Sequence, residues 1–229
     1  MPSTKIIVSY DGTANEDDAI ALAGLLASAG AEVSLGYVRH TNEAVSDEEA
    51  QVVLDRGSAL FTGTFASRHA ITDRSTPAGL RALAEQIGAQ AIVFCSDSHT
   101  APGHVSIGNS AQRLLEGGPV AVAIAPAGFA DDSAHTAAQR IVAVGEDGGD
   151  GSAQSTADGL ASALGAQVVP VADDQADLLV IDSRPDATPG RVSLSSSAAR
   201  LIEIATCPVV VVPAGTALAF DRAQAGAVA

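Results

Sequence analysis

Short apolar runs and segments with helical spacing alternate along the first half of the chain. IIVSY (6–10) is β-rich, and EDDAIALAGLLASAGA (16–31) is apolar at helical spacing with Asn15 placed as N-cap. EVSLGYV (32–38) predicts a second strand, and DEEAQVVLDRGSALF (47–61) a second amphipathic helix after Ser46. ASRHAITDR (66–74) has the polar alternation of an edge strand. TPAGLRALAEQIGA (76–89) follows as a helix with Thr76 as cap and Pro77 at its first position. AIVFCS (91–96) is a buried strand, SAQRLLEG (110–117) a helix after a loop, and PVAVAIAP (119–126) a closing strand. Strands alternating with helices of this length predict an α/β fold built on a doubly wound, open parallel sheet.

The pattern then recurs. Residues 103–126 and 190–213 superpose without a gap at an offset of 87, with Gly103, Val105, Ser106, Ser110, Ala111, Arg113, Leu114 and Glu116 all matched by the same residue. KIIVSYDG (5–12) has a counterpart in IVAVGEDG (141–148), and AGAEV (29–33) in LGAQV (164–168) at an offset of 135. The offset falls from 135 to 87, so 48 residues are missing from the second copy, between QVVPV (167–171) and DLLVID (177–182). A parallel return normally takes a dozen residues, and the five of ADDQA span at most about 17 Å. This predicts that QVVPV pairs antiparallel or lies outside the sheet. The expected organisation is a first domain over 1–128, a linker over 127–139, a shortened second domain over 139–215 and a tail over 216–229 without a patterned element.

Composition changes this picture in three ways. Aromatics are 3% of the 229 residues and Trp is absent, so the core must be built from Ala, Val, Leu and Ile. A formal charge of −15, with Lys5 as the only lysine, disfavours nucleic acid and anionic membrane as partners. No apolar run is long enough to span a bilayer, and Asp11 closes the first one too early for a signal peptide, so a cytoplasmic location is expected. Cys95 and Cys207 sit in strand-like runs and read as reduced core thiols.

Candidate chemistry gathers where the strands end. In open α/β sheets ligands bind outside the carboxyl ends of the strands, which here puts Asp11, Val38, Cys95 and Ser96 on one edge. The segment SDSHTAPGHVSIGNSA (96–111) then leads into a helix. Gly108 there would allow close backbone approach, and Asn109 and Ser110 offer hydrogen bonds; the same residues also serve simply as caps, and Gly103 after Pro102 as a turn. His99 and His104 lie in this loop without an acid–base partner pattern. EDDAIA (16–21) reads as a first helical turn whose carboxylates complement the dipole. No GxxxxGK[ST] exists, and EDGGDG (146–151) lacks EF-hand spacing and reads as a strand-to-helix turn. A catalytic role is not expected.

The alternation, the Asp-Gly after the first strand and the Gly108-Asn109-Ser110 run before the helix and PVAVAIAP resemble a universal stress protein, in tandem form with a shortened second domain. The family's signature is Gly-x2-Gly, nine residues, then Gly-(Ser/Thr); its early glycines fall on Cys95 and Ser98, and Asn109 stands at the Ser/Thr position. The resemblance implies a stress-response protein of the adenine-nucleotide alpha-hydrolase-like fold. It implies ATP or another adenine nucleotide, with Mg, as ligand of the first domain. Asp11 and Val38 would surround adenine and ribose. Gly108, Asn109 and Ser110, with Cys95, Ser98 and Gly103 in the same loop, would face the phosphates. It further implies antiparallel pairing of PVAVAIAP with PVVVVP (208–213), making the second half a built-in dimer partner, with association of two chains left open. An interaction module of the same fold that binds no nucleotide is the alternative.

Overall fold

The computed structural model describes residues 3–41, 45–131, 137–145, 148–170 and 176–221. In chain order the elements are β1 (Lys5–Ser9), α1 (Glu16–Ser28), β2 (Glu32–His40), α2 (Asp47–Leu60), β3 (Ser67–Asp73), α3 (Thr76–Ile87), β4 (Ala91–Cys95), α4 (Asn109–Leu115) and β5 (Ala121–Ala125). They continue as β6 (Arg140–Val144), α5 (Ser152–Leu164), β7 (Gln167–Val169), β8 (Leu178–Asp182), α6 (Ser196–Ile204) and β9 (Val209–Val212). Local signals account for several ends. Ser46 forms a reciprocal capping box with Glu49 at the start of α2, and Gly88 closes α3 in the left-handed conformation. Helix α3 begins one residue earlier than expected, with Ser75 rather than Thr76 as cap.

All nine strands form one sheet in the order β3-β2-β1-β4-β5-β9-β8-β6-β7. Pairing is parallel except at the centre, where β5 and β9 run antiparallel with Val122 opposite Val211, Ala123 opposite Val210 and Ile124 opposite Val209. Ala123 and Val210 stand 87 positions apart, the offset of the sequence repeat, so a pseudo-two-fold axis passes through their pair. Helices α1, α2 and α5 bury their apolar faces in one layer, and α3, α4 and α6 in the other. The central strands carry Val, Ile and Ala on both faces and are fully buried, as doubly covered parallel strands require.

The second half keeps counterparts of β1, α1, β2, β4, α4 and β5; the 48-residue gap corresponds to α2, β3 and α3. The expectation that QVVPV would pair antiparallel or leave the sheet is not met. β7 lies parallel to β6, with Gln167 opposite Arg140 and Val169 opposite Val142. The reason is its length. β7 ends level with Val142, and β8 begins level with Ile141, so the return along the strand direction is a single residue. The remaining step crosses β6, two strand spacings or about 10 Å, and eight residues (170–177) span up to about 27 Å.

Two segments read as unstructured are held. In the expected linker, Gly128 and Ala130 donate their amides to the Asp18 carboxylate (2.8 and 2.7 Å), and Phe129 is buried. Beyond Pro213, Leu218 and Phe220 enter the core, Leu218 N donates to Thr156 Oγ1 (2.9 Å) and Thr4 Oγ1 to the Ala219 carbonyl (2.5 Å). Among the described residues no helix is long and apolar enough to cross a membrane.

Candidate functional site

The two copies of the loop before the last helix have the same hydrogen-bonded frame. Ser96 Oγ donates to the Ala125 carbonyl (2.7 Å) and accepts from Ser106 N (3.1 Å). Ser183 Oγ does the same with Val212 and Ser193, at 2.8 and 3.1 Å. Gly103 at φ +78° and Gly190 at φ +73° make equivalent left-handed turns, donating to Ala127 and Ala214 at 2.7 Å. The copies differ where the helix starts. In the second, the Ser195 hydroxyl accepts from Ala198 N (3.0 Å) and caps α6. In the first, Gly108 occupies that place and α4 receives no side-chain cap. Gly108 has an ordinary φ of −68°, and a Cβ added there would meet nothing within 4 Å. What glycine supplies is therefore open space and an uncapped first turn, not backbone freedom.

The next residues along the chain border a cavity of about 730 Å³ between α3 and α4. Asn109 and Ser110 line it together with Ser75, Arg81 and Arg113. Ser75 makes no side-chain cap to α3 either. Arg113 is loosely paired, its guanidinium 3.7 Å from Glu116 and three-quarters exposed. Two arginines thus meet Ser75, Asn109 and Ser110 around one cavity, with Glu116 the one carboxylate in its lining, in a chain with only 12 basic side chains against 27 acidic ones. Such a set can receive an anion through charge-assisted hydrogen bonds. Sequence reasoning missed both arginines. Arg81 and Arg113 are separated by 32 positions and share no motif; only the packing of α3 beside α4 brings them together.

The edge at β1 and β4, where the strand order reverses, is built differently. Glu16 is 6% exposed, and its Oε2 accepts the amides of Asp11, Gly12 and Thr13 at 2.7, 2.5 and 3.2 Å. Burial, reinforced by the Asp11 carboxylate to which it is hydrogen-bonded, pushes its acid up to about 8. Glu16 thus holds its proton far more firmly than an exposed glutamate, while its Oε2 satisfies the turn. Asn15, at φ +70°, donates Nδ2 to the Asp97 carbonyl (3.2 Å) and ties this turn to the loop after β4. EDDAIA is therefore more than a dipole-complementing turn: Glu16 and Asp18 face inward, each holding backbone from outside the helix.

The remaining candidates are dispersed. Val38 is buried with its methyls against Gly79 of α3. Cys95 closes β4 beside Glu16 and Asp11, where burial lifts its thiol to about 12, and Cys207 is likewise a buried free thiol. Ser98 is exposed and bonds His99 (3.3 Å), which in turn meets Asp97. Asp11, Cys95 and Ser98 line neither of the two cavities that α4 helps to form. Only Asn109 and Ser110 of the expected set meet around one of these cavities. Of EDGGDG, Glu146 and Asp147 lie outside the described residues; Asp150 accepts from Ser152 N (2.8 Å) at the start of α5. Among the described residues, no group of three or more His, Cys, Asp or Glu is placed to hold a metal ion.

Residues 165–213 match the sequence model of the universal stress protein family, a stretch running from the end of α5 to β9. No curated protein sequence matches the chain. Among solved structures, a universal stress protein from Archaeoglobus fulgidus DSM 4304 superposes with a TM-score of 0.68 at 15% identity, covering 94% of this chain and all of that one. A functionally unknown protein from Pseudomonas aeruginosa PAO1 superposes with a TM-score of 0.65 at 13% identity, covering 92% and 93%. At such identities the likeness is one of fold, and it extends over both halves.

Proposed function

We propose that the chain is a universal stress protein, a stress-response protein that binds an adenine nucleotide in its first half; the match of residues 165–213 to that family's model and the likeness of fold support the reading. The second half serves as a permanently attached dimer partner. One observation carries the reading: the same loop–helix unit is self-capped by Ser195 in the second copy but uncapped at Gly108 in the first, where the following Asn109 and Ser110 share a cavity with Arg81 and Arg113. The phosphates would lie in the α3–α4 cavity against Asn109, Ser110 and the two guanidinium groups. The sugar and base would extend toward the β1 edge and Asp11. Mg would accompany the phosphates as their counter-ion, without a protein site of its own. The β5–β9 pairing supports the second part, because each strand covers what would otherwise be an exposed apolar edge.

The test is the melting temperature with saturating ATP–Mg and with AMP, in wild type and in Gly108→Arg. The variant should fold, because nothing stands within 4 Å of the new Cβ. Ligand at about 100 times its dissociation constant adds roughly 2.7 kcal/mol, so wild type should shift upward and Gly108→Arg should not. Arg81→Glu should weaken ATP more than tenfold and AMP less, since AMP carries fewer phosphate charges. No shift with either nucleotide, in protein stripped of ligand, would leave the interaction-module reading. That alternative is favoured by the occupied amides at Glu16 and by the absence of glycine at positions 95 and 98.

A further inference from the structure

A second cavity, of about 620 Å³, lies between the two halves. Its lining is twinned: Ser106 with Ser193, Leu115 with Ile202, and Glu116 with Glu203 all stand 87 positions apart. The cavity therefore sits on the pseudo-two-fold axis that relates β5 to β9 and is itself nearly symmetric. Leu115 and Ile202 are buried and form an apolar floor, whereas Glu116 and Glu203 are exposed at the rim. No Lys, Arg or His is among the lining residues; Glu116 also borders the α3–α4 cavity, where Arg113 lies 3.7 Å from it, and it accepts from Gln112 Nε2 (3.1 Å).

The walls are braced by another twinned pair of bonds across the axis. Val105 N donates to the Ala205 carbonyl (3.1 Å) and Val192 N to the Gly118 carbonyl (2.9 Å). An antiparallel bridge between Glu116 and Ser193 joins the same walls. The cavity is thus held open by backbone, so an occupant would not have to order it.

A pocket with two like-charged carboxylates on a two-fold axis and an apolar floor complements a molecule with two positive ends and an apolar middle. We propose that it binds a linear aliphatic α,ω-diamine, with one ammonium on Glu116, the other on Glu203 and the methylene chain on Leu115 and Ile202. Such a ligand contacts both halves at once and ties them together. The site shares Gln112 and Glu116 with the α3–α4 cavity, but its argument does not depend on nucleotide binding there.

Calorimetric titration of the full chain with putrescine, hexamethylenediamine and longer homologues tests this, with hexylamine at matched ionic strength as the single-ended control. One diamine length should bind with a 1:1 stoichiometry and clearly exceed hexylamine. Glu116→Gln and Glu203→Gln should each weaken it about tenfold, while Glu48→Gln, on the exposed first turn of α2, should leave it unchanged. Binding of hexylamine as tight as the best diamine would overturn the proposal. So would equal weakening by Glu48→Gln, which would reduce the effect to screening of an acidic chain, or a failure of every diamine to bind.

Discussion

Glu16 shows how one residue can be misplaced by a rule that holds on average. Acidic residues in a first helical turn usually face water and the dipole, but this one turns back to satisfy three amides of the turn before it. The consequence for pH follows from the direction of its shift. Its acid is raised from 4.5 to about 8 in the folded chain, so the native state holds a proton that the unfolded state has released. Its contribution is fully present below pH 4.5 and is lost as pH rises through about 8. Gln reproduces the neutral acid, accepting with its oxygen and donating with its amide. Glu16→Gln should therefore fold and should show a flatter melting temperature between pH 4.5 and about 8 than wild type. Parallel slopes in the two proteins would contradict the buried neutral acid. The capping difference between the copies is testable at the same scale. Ser195→Ala should cost about 1 kcal/mol by urea unfolding, whereas Gly108→Ala, with no cap to lose and no collision to cause, should cost far less.

At the scale of elements, the order of strands and helices was legible because the chain is almost all periodic. Strands of five to nine residues alternate with helices of seven to 14 in the first half, and the repeat offset located the missing α2-β3-α3 unit. The placing of β7 was not legible. Reach depends on where a strand stops, and three residues of β7 make the return to β8 trivial where a full-length strand would have made it impossible. The segment after Pro213 was missed for a related reason: its described residues, 214–221, form no helix or strand, yet Leu218 and Phe220 fill a gap beside α5. Gly30 records that contact. It sits at φ +97°, and a Cβ there would collide with the Asp221 carbonyl. Gly30→Ala should cost about 2 kcal/mol through strain and through displacement of this segment. Melting equal to wild type would mean that the segment does not pack there. The central seam is the more severe test. Val210→Pro removes a ladder donor in a fully covered strand and should cost at least about 3 kcal/mol; a loss below about 1 kcal/mol would show that β5 and β9 are not joined in solution.

For the whole molecule, the repeat turns a two-subunit design into one chain. The pseudo-two-fold axis and the twinned loop frames were foreshadowed by the offset of 87 that relates residues 103–126 to 190–213 without a gap. The candidate ligand site was only partly foreshadowed. Gly108, Asn109 and Ser110 stood out because they break the repeat, but Arg81 and Arg113 become visible only once α3 lies beside α4, and no spacing in the sequence encodes that meeting. The second half, self-capped and lacking the α3 counterpart, has no equivalent of this cavity wall. An asymmetric molecule built from symmetric parts should respond to nucleotide asymmetrically. Amide hydrogen exchange with and without ATP–Mg tests this most directly, because it reports where protection falls. The account predicts slowed exchange over residues 75–82 and 103–113, with the corresponding loop and helix at 190–200 unchanged. Unchanged exchange throughout, or protection confined to 190–200, would contradict it.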